Sequence, residues 1–105
     1  MKWLEKFLKR KRWRKVIERD TRPREWGAGE VDLLVWDEPR RMLWVIEIKE
    51  HRLATLGSRP LLEESQRRRL QRSRSYYRSL YPYPVGLGLL WRDPDSERLE
   101  FLENP

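Results

Sequence analysis

The segment Gly27–Arg52, which reads GAGEVDLLVWDEPRRMLWVIEIKEHR, constrains the fold of this chain more than any other. Two short apolar runs, 31–36 and 42–49, flank a polar turn over residues 37–40. Strand-forming residues on both sides of a turn containing Asp and Pro are typical of an antiparallel β-hairpin. We therefore expect two neighbouring strands here.

Both predicted strands carry charged residues that are rare in buried strands. Glu30 and Asp32 flank a valine at the start of the first strand, and Glu47 and Lys49 flank an isoleucine at the end of the second. Side chains alternate between the two faces of a strand, so the members of each pair share a face. If the strands are adjacent, three carboxylates and one ammonium group converge.

These residue types suit phosphodiester cleavage assisted by Mg²⁺ or Mn²⁺. Hard divalent cations prefer carboxylate, carbonyl and water oxygens, which Asp32, Glu47 and the carbonyl of Ile48 can supply. Such an ion activates a bound water and neutralises charge on a phosphate. Lys49 stays charged beside two carboxylates and would stabilise developing negative charge. Glu30 is expected as a further ligand, directly or through water.

A purely structural interpretation of the same residues is simpler. Asp32 could end a strand, and Glu47 and Lys49 could form a surface salt bridge on an edge strand. An isolated Glu-x-Lys is common, but two matched acidic strands between a glycine-rich loop and an arginine-rich helix are more specific. We therefore favour the functional interpretation.

The remaining elements predict an α/β fold with a mixed sheet of four to five strands flanked by helices. A helical stripe should bury Leu62, Leu70, Tyr77 and Leu80 together with Gln66 and Ser73. Before the hairpin we expect a basic helix over residues 1–12, an edge strand (or continued helix) over 13–19 and a loop over 21–29. After it we expect a helix from a Ser58 cap to Leu80, a buried strand over 85–91 and an edge strand over 98–102. The glycines of the buried strand should pack closely on a neighbouring backbone.

Composition narrows the choice of partner. The chain has 105 residues, suited to a single domain over 1–105, and a formal net charge of +7, which favours a polyanion and nucleic acid first. It has no cysteine and one histidine, so thiolate zinc sites and histidine clusters within one chain are excluded. No apolar run is long enough to span a membrane, and no signal peptide is visible, so we expect a cytoplasmic protein without a membrane partner.

The motifs Gly-Glu-Val-Asp-Leu-Leu (29–34) and Val-Ile-Glu-Ile-Lys (45–49) resemble those of the PD-(D/E)xK nuclease superfamily. Within it the chain is most similar to the YraN-like small predicted endonucleases, which are related to archaeal Holliday-junction resolvases. Arg52 and the helix segment 66–70 stand at matching places, and the resemblance covers about residues 13–91. Glu5 is the only acid in the first helix, where the group usually has a glutamate.

The resemblance implies a restriction-endonuclease-like core in the order αβββαβ, with a site at Asp32, Glu47 and Lys49. It also implies cleavage of DNA that depends on Mg²⁺ or Mn²⁺, possibly of branched DNA, and a symmetric homodimer. Gln66 is either a boundary residue of the stripe or a member of the site. The expected phosphate contacts are Arg52, Arg67, Arg68, Arg69, Arg72, Lys11 and Arg12, of which one or two from the helix should touch the duplex.

Three functions are compatible with these residues. The first is a metal-dependent endonuclease acting on DNA, with RNA left open. The second is a non-catalytic nucleic-acid-binding module with the same fold, although unpaired buried carboxylates are costly to retain without a role. The third is a nuclease subunit whose specificity comes from a partner. Trp26, in the glycine loop, is the best candidate for an exposed aromatic that stacks on a base.

Overall fold

Five strands form one mixed sheet in the computed structural model, which describes residues 1–56 and 62–105. Two longer helices, α1 and α3, lie on opposite faces of this sheet. The elements are α1 (Lys2–Lys11), β1 (Trp13–Asp20), a 3₁₀ helix (Arg22–Trp26), β2 (Val31–Asp37), β3 (Met42–Glu50), a short α2 (Leu53–Leu56), α3 (Glu64–Leu80), β4 (Val85–Arg92) and β5 (Leu99–Glu103).

The strands follow chain order across the sheet, β1-β2-β3-β4-β5, so β3 is central. Neighbours are antiparallel except β3 and β4, which are parallel. A parallel pair requires a crossover connection, and α3 lies within it. The predicted α/β class with a mixed sheet is confirmed, as are the edge strands at both ends.

Alternation along the central strands divides the core into two layers. Leu33 and Ile46 face α1, whereas Leu34 and Val45 face α3. On the α1 side, Leu4, Phe7 and Leu8 are buried against the sheet. Each such side chain contributes about 1.5–3 kcal/mol when fully buried, so this short basic helix is fixed by its apolar side. The helix ends at Lys11, and its C-cap, Arg12, adopts a left-handed conformation with φ 61°.

Helix α3 begins with a capping box. The Glu63 side chain accepts a hydrogen bond from the third helical residue, Gln66, whose side-chain oxygen in turn accepts from the Glu63 backbone N–H at 3.0 Å. Ser58 itself lies outside the described residues, but the predicted start of this helix was wrong, because α3 begins at Glu64 with Glu63 as its N-cap. Leu70, Ser73 and Tyr77 are buried as predicted, but Leu80 is 48% exposed. That expectation was wrong because Leu80 is the last helical residue and lies beyond the part of α3 that packs on the sheet.

Three local features differ from the sequence-based expectation. Residues 22–26 form a 3₁₀ helix with Pro23 in its first turn, where a loop was predicted. Residues 53–56 form α2 within the predicted connection. Gly86 and Gly88 do pack closely, but against the rings of Trp44 and Phe101, not against backbone.

Within the described ranges, no helix is long and apolar enough to cross a lipid bilayer.

Candidate active site between the sheet and helix α3

A small pocket lies between the α3 face of the sheet and the first half of α3. Its volume is about 60 Å³, and the side chains of Ala28 and Leu70 contribute apolar lining. We call it the acidic pocket, and its polar lining residues are Glu30, Asp32, Glu47, Gln66, Arg69 and Ser73. Four of the five residues predicted as catalytic, Glu30, Asp32, Glu47 and Gln66, therefore line one cavity.

Strand pairing brings Asp32 and Glu47 together. The β2–β3 register places Leu33 opposite Ile46, and one further step along this register places Asp32 opposite Glu47. Asp32 Oδ2 accepts a hydrogen bond of 2.9 Å from the backbone N–H of Ile48. Because both backbone groups of a strand residue point to the same side, the carbonyl of Ile48 is also directed towards β2.

The Glu47 carboxyl lies in an unfavourable environment for a negative charge. Burial raises its pKa, and the neighbouring Asp32 raises it further, while Lys49 and Arg69 act in the opposite direction. Within residues 1–56 and 62–105, no donor hydrogen-bonds to this carboxylate. Glu47 therefore has both the position of a cation ligand and oxygens that are not engaged by a protein donor of the described residues.

Lys49 and Gln66 connect β3 to α3. The Lys49 ammonium donates a hydrogen bond of 3.2 Å to Gln66 Oε1, the same oxygen that accepts from the Glu63 backbone in the capping box. Gln66 is thus fixed by the start of the helix and in turn orients Lys49. Of the two alternatives for Gln66, the structure places it at the candidate site.

The rim of the acidic pocket is formed by the loop before β2. Glu30 is exposed, and Gly29 has a φ of 92°, a conformation that favours glycine. A Cβ added at Gly29 would lie 3.7 Å from the Arg69 side chain. The Arg69 side chain therefore lies beside the loop, and Arg69 is the predicted basic residue of α3 that lines the pocket.

The edge-strand interpretation of Glu47 and Lys49 does not fit this geometry. β3 is the central strand, and the ammonium of Lys49 bonds to Gln66. Both side chains are half-buried under α3.

Other predicted phosphate contacts lie away from the pocket. Arg52 forms a salt bridge with Asp95. Arg67 donates to the carbonyl of Pro105, and Arg68 pairs with Glu64 at 3.4 Å. Lys11 and Arg12 end α1 and so lie on the opposite side of the sheet, where Glu5 lines a separate groove. Arg72 lies two helical turns from the start of α3 and donates to the carbonyl of Gly27 at 3.0 Å.

The donor set at the pocket is small. In the part of the chain that the structure describes, no group of three or more His, Cys, Asp or Glu side chains is arranged to hold a metal ion. Two carboxylates and one backbone carbonyl remain, from Asp32, Glu47 and Ile48. Mg²⁺ keeps several water ligands and is usually bound through one or two carboxylates, so this set fits that ion and its close analogue Mn²⁺.

Sequence reasoning missed a second charged cluster beneath the loop. Asp20 is buried and forms a two-point ion pair with Arg22, with distances of 2.7–3.1 Å, and it also accepts a hydrogen bond from Tyr77. The spacing Asp-x-Arg at the end of a predicted strand is the only signal for it in the sequence. This cluster anchors the start of the loop that leads to the acidic pocket.

No protein-family model matches the chain, and no curated protein matches it. The fold and the site define an α/β protein with a five-stranded mixed sheet and an acidic pocket under α3. The resemblance to PD-(D/E)xK nucleases stays a prediction that rests on two short motifs.

Proposed function

We propose that the protein is a divalent-metal-dependent endonuclease that hydrolyses DNA phosphodiester bonds, built on a restriction-endonuclease-like core. One observation carries the proposal: Asp32 and Glu47 meet in one pocket, with Lys49 bonded to Gln66 beside them. Two half-buried carboxylates side by side are costly unless something compensates them, and burial and repulsion already disfavour the charge on Glu47.

A bound cation would supply that compensation. Asp32, Glu47 and the Ile48 carbonyl would hold Mg²⁺ or Mn²⁺, which would acidify a water ligand and neutralise charge on the phosphate. The hydrogen bond from the Ile48 N–H fixes one oxygen of Asp32 and leaves the other oxygen for the cation.

The surrounding residues would act on the phosphate. Lys49, held by Gln66, would place its ammonium group beside the developing negative charge, and this preorganisation is what makes electrostatic stabilisation effective. Arg69, at the rim, would bind a phosphate oxygen through its guanidinium and position the strand. Glu30, exposed at the rim, could reach the cation through water.

The test is cleavage of supercoiled and branched DNA with Mg²⁺ or Mn²⁺. We expect Asp32→Asn and Glu47→Gln each to lower the rate at least about 100-fold, because a metal ligand supplies several kcal/mol of transition-state stabilisation. Glu50→Gln is the matched control: it makes the same chemical change on the same strand, but Glu50 is exposed on the other face.

Two results would contradict the proposal. One is a wild-type protein that binds DNA and never cuts it with either metal, which would support the non-catalytic binding module. The other is equal cutting by wild type and both pocket variants, which would locate any nuclease activity elsewhere. Cutting restored only by added cellular protein would point to a nuclease subunit that requires a partner.

A further inference from the structure

Trp26 is the one tryptophan of the six whose side chain is mostly in solvent. It is 53% exposed, whereas the others are buried or half-buried. It ends the 3₁₀ helix, and the following Gly27 has a φ of 74°. This aromatic surface is held outside the core on a short element, where a ligand can reach it.

The position of Trp26 is fixed by α3. Its ring packs edge-to-face with the Tyr76 ring at a centroid distance of 5.4 Å and an interplanar angle of 75°. The next residue, Gly27, accepts a hydrogen bond of 3.0 Å from Arg72. Tyr76 therefore supports the Trp26 indole, while 53% of Trp26 stays exposed to solvent. We call Trp26, Tyr76 and Arg72 the aromatic platform.

The aromatic platform is continuous with the acidic pocket. Residues 27–30 run directly from Trp26 to Glu30 at the pocket rim, and the Arg69 side chain lies beside Gly29. On α3, Arg69, Arg72 and Tyr76 follow one another at helical spacing along one side. At 1.5 Å per residue, Arg69 and Tyr76 are about 10 Å apart along the axis, or roughly three steps of a stacked nucleic-acid strand.

We propose that the aromatic platform binds an unpaired nucleobase of the strand whose phosphate lies at the acidic pocket. This inference rests on the proposed nuclease function and names its substrate class: DNA with a single-stranded segment next to the cut. Bases inside a duplex already stack on both faces, so an indole can stack only on a base that is unpaired or displaced.

The positive charge near the aromatic platform favours a nucleic acid as its ligand. Arg22 and Arg24 lie next to Trp26 in the sequence, Arg72 bonds to Gly27, and Arg69 lies beside Gly29; within residues 1–56 and 62–105, Arg22 is the one of these four that forms an ion pair, with Asp20. Glu25 is the one acid in residues 22–27. An aromatic surface among cations matches a polyanion that carries flat bases, and it suits single strands in particular.

The test measures binding without divalent metal, so that it does not depend on cleavage. The probes are a single-stranded oligothymidylate and a blunt duplex of equal length. Binding of the protein to each labelled probe is measured by fluorescence anisotropy. We expect Trp26→Ala to weaken single-strand binding roughly 5- to 150-fold, the range for loss of one stacked base, and to change duplex binding much less. Trp26→Phe keeps an aromatic face and should restore most of the affinity.

Tyr83→Ala is the matched control, because Tyr83 is an aromatic of similar exposure (44%) on the loop before β4 and contacts Trp36 instead. It should leave the selectivity for single strands unchanged. Thermal unfolding of each variant shows whether it is folded. If Trp26→Ala is not folded, the binding of Trp26→Phe is compared with that of wild type instead.

Three outcomes would overturn the aromatic platform. They are an equal loss of single-strand and duplex binding in Trp26→Ala, no loss of either, and a change in sedimentation showing that Trp26 joins copies of this chain or another protein. If Trp26→Ala binds single strands as well as wild type does, and cleavage still depends on Asp32 and Glu47, the nuclease proposal stands without the aromatic platform. Trp26-dependent selectivity in a protein that never cuts would support the platform and refute the nuclease.

Discussion

The phenol hydroxyl of Tyr77 donates a hydrogen bond of 2.6 Å to Asp20 Oδ2, joining the last turn of α3 to the end of β1. Tyr77 is fully buried, and Asp20 is 6% exposed. The same carboxylate binds the Arg22 guanidinium through both oxygens. This contact fixes α3 against the edge of the sheet and so helps to set the position of the helix over the acidic pocket.

Tyr77→Phe should lower the free energy of unfolding by about 2 kcal/mol, because the lost hydrogen bond is buried and its acceptor is charged. Urea denaturation would measure the loss. Tyr83→Phe, which removes the same hydroxyl from an exposed ring, should change stability by less than about 0.5 kcal/mol. Equal effects of the two substitutions would show that the Tyr77 hydroxyl contributes nothing specific.

Asp20 should also make the protein sensitive to acid. The hydrogen bonds from the Arg22 side chain, and next that from Tyr77, lower the pKa of the Asp20 carboxyl from 3.8 to about 2. A lowered pKa in the folded state stabilises the protein above the unfolded-state value, and this contribution is lost as the pH falls from 3.8 through about 2. The loss amounts to about 2 kcal/mol. To isolate the contribution of Asp20, the free energies of unfolding of wild type and Asp20→Asn would be compared from pH 6 downwards. The advantage of the wild type should shrink as Asp20 becomes protonated. A difference that stays constant with pH would contradict the lowered pKa of Asp20.

Most of the fold could be predicted because the strands are apolar runs bounded by turn residues. β2, β3 and β4 begin where expected and extend one residue further than predicted. What could not be predicted depends on tertiary packing. The sequence indicates that Gly86 and Gly88 allow a close approach, but only the sheet order shows that the rings of Trp44 and Phe101 fill the space. The exposure of Leu80 likewise depends on where α3 leaves the sheet.

The candidate site was predictable to the extent that it follows from strand alternation. Asp32, Glu47 and Lys49 lie on one face because their spacing is even, and antiparallel pairing of β2 and β3 brings them together. The sequence analysis made no choice among the helix arginines, because the rotation of α3 about its axis decides which of them faces the pocket. Arg69 follows Gln66 by three residues and therefore shares its side of the helix, a signal that separates it from Arg68.

Glu47→Gln should have opposite effects on stability and on metal binding. Burial and repulsion by Asp32 raise the pKa of Glu47, so its ionised form destabilises the folded protein above that pKa and a neutral glutamine relieves the cost. Without metal, we expect the variant to melt at or above the wild-type temperature. Mg²⁺ at 100 times its Kd should stabilise the wild type by about 2.7 kcal/mol and the variant hardly at all.

Glu50→Gln provides the control for that experiment, because it should keep the full stabilisation by Mg²⁺. Differential scanning calorimetry with and without Mg²⁺ would give the melting temperatures of wild type, Glu47→Gln and Glu50→Gln. A Glu47→Gln variant that melts well below wild type without metal, or that is stabilised by Mg²⁺ as strongly as wild type, would show that Glu47 has a structural role only.

Arg69→Ala and Arg68→Ala remove the same charge from adjacent positions of α3 and should differ in their effect on DNA binding. Arg69 lines the acidic pocket and lies beside Gly29, whereas Arg68 pairs with Glu64 on the surface. If Arg69 binds a phosphate beside the cut, its loss should weaken binding for every sequence and reduce the slope of log K against log salt by about 1. Arg68→Ala should leave that slope nearly unchanged, because its charge is already shared with a carboxylate. Salt titrations of binding would compare the two variants, and identical slopes would mean that α3 attracts DNA only through its overall charge.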